Sequence, residues 1–262
     1  MTRVASVQLE IIGDEAKVDR VERVAALVES LAGTDLIVLP EVWNVGYFNF
    51  DRYALEAETL AEETVSRIGG AARTAGAWVL AGSIVERDGD SLFNTSVLLD
   101  RSGEVRGSYR KVHLFGYGSR ERQLLTRGEE VAVVDTELGR VGLATCYDLR
   151  FPELFRAMVD RGAEMFLVAS AWPYPRVEAW TALNLARALE NQAWLISANC
   201  AGGEGPACCG RSMVVDPWGT PVATAGDRPG IMLAEIDVTA AASARADFPA
   251  LRDRVLSPGG IV

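Results

Sequence analysis

Short apolar runs rich in β-branched residues alternate along this chain with longer stretches whose apolar positions recur every three to four residues. Val4 to Leu9 reads as a strand. Asp14 to Leu31 reads as a helix, with Val18, Val21, Ala25 and Val28 on one face. Asp35 to Leu39 is a second strand, ending at Pro40 and Glu41. The spacing predicts another helix over about Ala57 to Thr74, weakened at Gly69 and Gly70, and then a strand over Trp78 to Val85. Asp88-Gly-Asp predicts a hairpin turn into Leu92 to Leu99, and Ser102-Gly103 a second into Val105 to Tyr109.

The βα order then repeats. Val141 to Cys146 reads as a strand, Pro152 to Asp160 as a helix and Met165 to Ala169 as a strand. Arg176 to Gln192 reads as a helix and Trp194 to Asn199 as a strand. Met213 to Val215, Pro221 to Thr224 and Met232 to Ile236 are expected to close as a meander. No composition shift, linker, repeat or low-complexity tract divides the chain. The expectation is one α/β domain over residues 1–262, with mixed sheets and helices outside.

Composition narrows the function classes. At 262 residues with 49% hydrophobic and 24% charged content, the chain can bury a sizeable core and is not disordered. A net charge of −10 argues against nucleic acid or an anionic membrane as partner, and it serves solubility. The N-terminal apolar stretch is too short and too soon interrupted by acids for a signal peptide, and no run approaches the roughly 18 apolar residues of a membrane span. The expected location is the cytoplasm. Cys146, Cys200, Cys208 and Cys209 form no spaced disulfide framework, and a single histidine argues against a His-rich zinc site, so no cofactor or metal is expected.

Three polar residues stand where apolar strands give out: Glu41 after LIVLP, Lys111 after GSYR and Cys146 after VGLAT. Ligands of α/β sheets gather beyond the carboxyl ends of strands. A cysteine attacks as thiolate; a carboxylate can take its proton, and an ammonium can hold the thiolate and the oxyanion that follows. The three together make an acyl-transfer site without histidine. Taken singly, each has a plainer reading: a solvated carboxylate, a lysine in a surface ion pair, an inert buried cysteine. Lys111 is conspicuous because only it and Lys17, among 26 basic residues, are lysines.

PEVWNVGY (40–47), YRKVHLF (109–115), CYDLRFPEL (146–154) and ARALENQAW (186–194) together resemble the nitrilase superfamily of carbon–nitrogen hydrolases, in the order and rough spacing of its motifs. The likeness is nearest to its omega-amidase-like and small-amidase branches and runs from the first strand to about Asp237. It implies a four-layer α-β-β-α sandwich with its core over about 3–237, and residues 238–262 are expected in oligomer contact. It implies a Glu41–Lys111–Cys146 triad. The run Glu121-Arg-Gln-Leu-Leu-Thr-Arg-Gly128 matches a second glutamate of the family pattern, whereas Glu129 and Glu130 fit less well and are expected at the start of the next strand.

The same resemblance implies a thiol amidase that converts a small aliphatic or omega-carboxamide and water to carboxylate and ammonia through a cysteine thioester. Nitrile hydrolysis, N-carbamoyl amino acid hydrolysis, or a catalytically silent binding protein on this fold are the alternatives. Tyr47, Tyr147 and Trp172 match substrate-binding positions, with the Tyr147 backbone N–H as an oxyanion donor. A homodimer or larger homo-oligomer is implied, joined through the outer helices. His113 reads either as a structural hydrogen bond at a strand end or as the base of a Cys-His pair. Arg150 reads either as held by Glu153 or Asp148 or as a clamp for a substrate carboxylate. Cys208 and Cys209 read as small buried residues.

Overall fold

The computed structural model describes residues 1–203, 206–257 and 260–261. In chain order the strands of its first half are β1 (Thr2–Gln8), β2 (Leu36–Val38), β3 (Trp78–Asp88), β4 (Ser91–Leu99), β5 (Val105–Arg110), β6 (Val133–Thr136) and β7 (Gly139–Thr145). Then come β8 (Met165–Ser170), β9 (Trp194–Asn199), β10 (Ala201–Gly202), β11 (Cys208–Cys209), β12 (Met213–Val215), β13 (Pro221–Thr224) and β14 (Gly230–Ile236). The helices are α1 (Lys17–Glu29), α2 (Tyr53–Glu56), α3 (Glu63–Ala75), α4 (Glu121–Leu124), α5 (Pro152–Asp160), α6 (Val177–Asn191) and α7 (Ala240–Asp247). One six-stranded sheet runs β14-β1-β2-β3-β4-β5 and a second runs β13-β12-β9-β8-β7-β6.

Strand alternation builds the layers. In the first sheet Leu36 and Val38 turn inward with Val4 and Leu80, towards the second sheet. Their neighbours Ile37, Leu39, Val79 and Ala5 turn outward against α1 and α3. Helices α5 and α6 cover the outer face of the second sheet through residues such as Phe155, Met158 and Trp180. The result is the four-layer α-β-β-α sandwich. The two inner faces are also bonded: the Ser6 hydroxyl donates to the Ser197 carbonyl at 2.8 Å.

Five expectations change. Helix α1 begins at Lys17, three residues later than its periodicity suggested, so Val18 lies in the first turn and is half exposed. The core position goes to Arg20, whose guanidinium meets Glu15 at 2.9 Å and the Asn44 carbonyl at 3.2 Å, tying α1 to the loop after Glu41. The helix expected from Ala57 starts at Glu63, because Glu58 is instead bonded along the β3 edge, to the Val85 carbonyl and the Arg87 N–H. Gly69 does not weaken it: a Cβ there would stand 2.6 Å from the Gly103 carbonyl, so the glycine lets the helix lie on that turn.

The closing meander is the fourth correction. β12 and β13 do pair, but β14 crosses to the first sheet and lies antiparallel to β1, from Thr2 opposite Ile236 to Gln8 opposite Gly230. It thereby covers the main-chain groups along an otherwise open β1 edge. The fifth is that Glu129 and Glu130, expected at the start of the next strand, lie in the loop ahead of β6, which begins only at Val133.

Candidate active site

Both sheets deliver side chains to one end of the sandwich. Glu41 follows β2, Lys111 follows β5 and Asn94 lies on β4, all from the first sheet; Cys146 follows β7 and Ala171 follows β8, from the second. Glu41, Lys111 and Glu121 have no solvent exposure, and Cys146 is 8% exposed.

Lys111 is the hub. Its ammonium donates to Glu41 Oε1 at 2.7 Å and to both oxygens of Glu121 at 3.0 Å. Glu121 is the first residue of the short helix α4, where its own N–H donates to Ser119 Oγ at 3.1 Å. Its Oε2 accepts the Phe115 N–H at 2.7 Å and the Tyr47 hydroxyl at 3.2 Å. Glu41 Oε2 accepts the Ala171 N–H at 2.9 Å.

Cys146 occupies a strained turn. Its φ of 47° is left-handed, a region that L residues with side chains seldom adopt, and it projects the thiol from the end of β7 into the pocket. A capping box holds that turn. Thr145 donates its N–H to Asp148 Oδ2 at 2.8 Å, and its side chain accepts from the Asp148 backbone. Asp148 is buried and also takes the Tyr109 hydroxyl at 2.8 Å and His113 Nδ1 at 2.7 Å. His113 therefore belongs to the framework under the turn, in a structural hydrogen bond. A second left-handed residue, Val42 at φ 41°, follows Glu41, and its N–H is held by Ser83 Oγ at 3.0 Å.

Burial and charge set the protonation states. Burial pushes the Cys146 thiol well above its usual range and the facing Glu41 carboxylate adds to this, while Lys111 opposes both. Burial also raises Glu41; Lys111 pulls it down and Glu121 pushes it up, and it ends above the ordinary carboxylate range. Burial works against a charged Lys111, but Glu121 and Glu41 outweigh it and hold the ammonium more firmly than in water. The arrangement is a neutral thiol beside a carboxylate with raised proton affinity and a fixed positive charge. It suits proton removal concerted with attack, not a standing thiolate.

A pocket above the thiol is lined by Tyr47, Tyr147 and Trp172 together with Phe48, Phe115, Pro173, Arg150 and Arg176. Trp172 is fixed by its N–H to Asn199 Oδ1 at 2.7 Å and by its indole Nε1 to the Arg176 carbonyl at 2.9 Å. Tyr147 packs against Phe115 and Phe151 with ring centroids 5.0 and 5.2 Å apart. Arg150 is exposed and lies over the Trp172 ring at 4.9 Å; it pairs with neither Glu153 nor Asp148, the latter being committed to the turn. Among the described residues, no carboxylate pairs with the guanidinium of Arg150 or Arg176. Cys200, Cys208 and Cys209 are buried free thiols. Among the described residues, no group of three or more His, Cys, Asp or Glu side chains could hold a metal ion.

Sequence reasoning missed Asn94, Ser119 and the backbone donors of Phe115 and Ala171. Asn94 carried a signal: asparagine is depleted in strands, and here it stands mid-strand in LFNTSV. The backbone donors carry none, since any residue supplies one.

A profile of the carbon-nitrogen hydrolase family matches residues 3–246. A 2-oxoglutaramate amidase of Paenarthrobacter nicotinovorans is 36% identical over 96% of this chain and 88% of its own. The omega-amidase NIT2 of Homo sapiens is 31% identical over 96% of this chain and 94% of its own. A structure of an amidase mutant from Nesterenkonia sp. AN1, with the acetamide moiety of fluoroacetamide covalently added at the active-site cysteine, superposes with a TM-score of 0.83. It is 27% identical and covers 97% of each chain.

Proposed function

We propose that this chain, which belongs to the carbon–nitrogen hydrolase family and hydrolyses amides, uses Cys146 as nucleophile on an omega-carboxamide whose far end bears a free carboxylate. The carrying observation is the buried thiol on its left-handed turn beside Glu41 and Lys111, below a rim with two cations. Glu41 takes the thiol proton as sulfur bonds to the amide carbon, and the carbonyl electron pair moves onto oxygen. Lys111 and the Tyr147 N–H hold that oxyanion. The C–N bond then breaks, and the protonated Glu41 passes its proton to the departing nitrogen, which leaves as ammonia. Water, deprotonated by Glu41, attacks the thioester; the C–S bond breaks, Glu41 returns that proton to sulfur, and the acid formed gives its remaining proton to ammonia, leaving carboxylate and ammonium. Glu121 holds Lys111 in place throughout.

Arg150 and Arg176 support the choice of an acidic substrate. A carboxylate at the pocket mouth finds two guanidiniums with no acidic partner among the described residues, each lying over aromatic rings: Trp172 for Arg150, Phe115 and Tyr117 for Arg176. A homodimer is part of the same reading, supported by the exposed side chains of Leu189, Trp218 and Phe248, which cluster where α6 ends near α7. A cytoplasmic location is consistent with four free thiols.

The test is ammonia release from omega-amides with a free carboxylate, neutral aliphatic amides, N-carbamoyl amino acids and nitriles, with wild type, Cys146→Ala and Arg150→Met. The expected result is no release by Cys146→Ala, and a KM raised about tenfold or more in Arg150→Met for carboxylate-bearing amides alone. Equal KM changes for charged and neutral amides overturn the acidic-substrate reading.

A further inference from the structure

Two glutamates share one lysine here, and nothing in the chemistry of a carboxylate says which should act as base. The difference lies in how many acceptor positions each has left. A carboxylate offers about four lone-pair directions, two per oxygen. Glu121 accepts Lys111 and Asn94 at Oε1, and Lys111, the Phe115 N–H and the Tyr47 hydroxyl at Oε2. It is saturated. Glu41 accepts Lys111 and Asn94 at Oε1 but only the Ala171 N–H at Oε2.

Asn94 is the group common to both counts. Its Nδ2 donates to Glu41 Oε1 at 2.9 Å and to Glu121 Oε1 at 2.7 Å, and the residue is 1% exposed. Strand register puts it there: the Lys111 N–H bonds to the Asn94 carbonyl at 2.8 Å, one step past the Thr95–Arg110 pair of β4 and β5. Flipping the amide would turn its oxygen on two carboxylates, so the orientation is locked. Its Oδ1 has no hydrogen-bond partner among the described residues, a cost that a strand asparagine kept only for packing need not bear.

We propose that Asn94 is a positioning residue that separates the roles of the two glutamates: by giving one amide proton to each, it fills Oε1 of both and leaves Oε2 of Glu41 as the open carboxylate position for the Cys146 proton. The amide adds two hydrogen bonds to a cluster of two negative charges and one positive charge without adding charge itself. An aspartate would add a third negative charge in the same space. An alanine would remove both donors and let the carboxylates turn.

The proposal rests on Cys146 as nucleophile and Glu41 as base, and the test separates the two levels. Full-length wild type, Asn94→Ala, Asn94→Asp and Asn94→Ser are titrated with iodoacetamide across pH, the labelled cysteine is mapped, and kcat and KM are measured on one omega-amide. Label on a cysteine other than Cys146 in wild type sinks the underlying reading. With Cys146 labelled, Asn94→Ala and Asn94→Asp should lower kcat about ten- to a hundredfold with KM little changed. In both, the acid limb of kcat/KM and of alkylation should move up by about one pH unit, since each change disfavours charged Glu41. Asn94→Ser, which keeps a single donor and is the deciding variant should the other two not fold, should fall between. A wild-type pH profile in Asn94→Ala, or in Asn94→Ser if it alone folds, overturns the proposal.

Discussion

His113 Nδ1 lies 2.7 Å from Asp148 Oδ1, with the imidazole stacked flat on Phe151 at a centroid distance of 3.8 Å. Because Asp148 also holds Tyr109 and Thr145, this one carboxylate joins the strand that delivers Lys111 to the turn that delivers Cys146. Replacing His113 by alanine should therefore lower folding stability by about 1.5–3 kcal/mol, the range for a hydrogen bond to a charged group. It should cost less activity than Lys111→Ala. Thermal melts and ammonia release on the two variants check this; a larger kinetic loss from the histidine would point to a Cys-His pair.

Lys111→Arg keeps the positive charge and tests its shape. The ammonium is fully buried with three carboxylate oxygens within 3.0 Å, a cage fitted to a point donor. A guanidinium is broad and planar, and it would displace Glu41 or intrude on the oxyanion position. The expected loss in kcat is about a hundredfold or more. Near wild-type turnover would mean that charge alone suffices.

Glu41 stands above the ordinary carboxylate range because burial and Glu121 together outweigh Lys111. As a base it acts only when deprotonated, so kcat/KM should rise with pH through that raised value, with its acid limb above the usual glutamate figure of about 4.3. Lys111 is shifted upward despite its burial, so it should lose no proton below the ordinary lysine value of about 10.4. A pH profile of kcat/KM measures both limbs. An acid limb at or below the ordinary glutamate value would count against Glu41 as the base.

Period-two and three-to-four patterning made the β-strands and outer helices legible, because in a layered sandwich each side chain's face follows from its place in the repeat. The strand ends also exposed Glu41, Lys111 and Cys146 as candidates, and these lie in one buried cluster with Glu121. The course of β14 was hidden. Its partner β1 lies more than 200 residues away in sequence, and local pattern carries no signal about which sheet a late strand will join. Arg150 was hidden for a related reason: nearby acids on paper suggested a partner, but Asp148 spends its oxygens on the turn beneath Cys146. Asn94 shows the limit most clearly. Its place mid-strand marks it as unusual, but its role depends on two carboxylates that arrive from residues 41 and 121, so its own strand does not say what it does.

The division of the site between the sheets carries a last consequence. The thiol arrives with one sheet and the Glu41 carboxylate and Lys111 ammonium with the other, and only the docked sandwich brings them together. A partly unravelled chain thus leaves Cys146 an ordinary exposed cysteine, without the carboxylate and the ammonium of the other sheet. Loss of alkylation at Cys200, Cys208 and Cys209, all buried in the docked sandwich, should then report closure of the interior during refolding without any substrate.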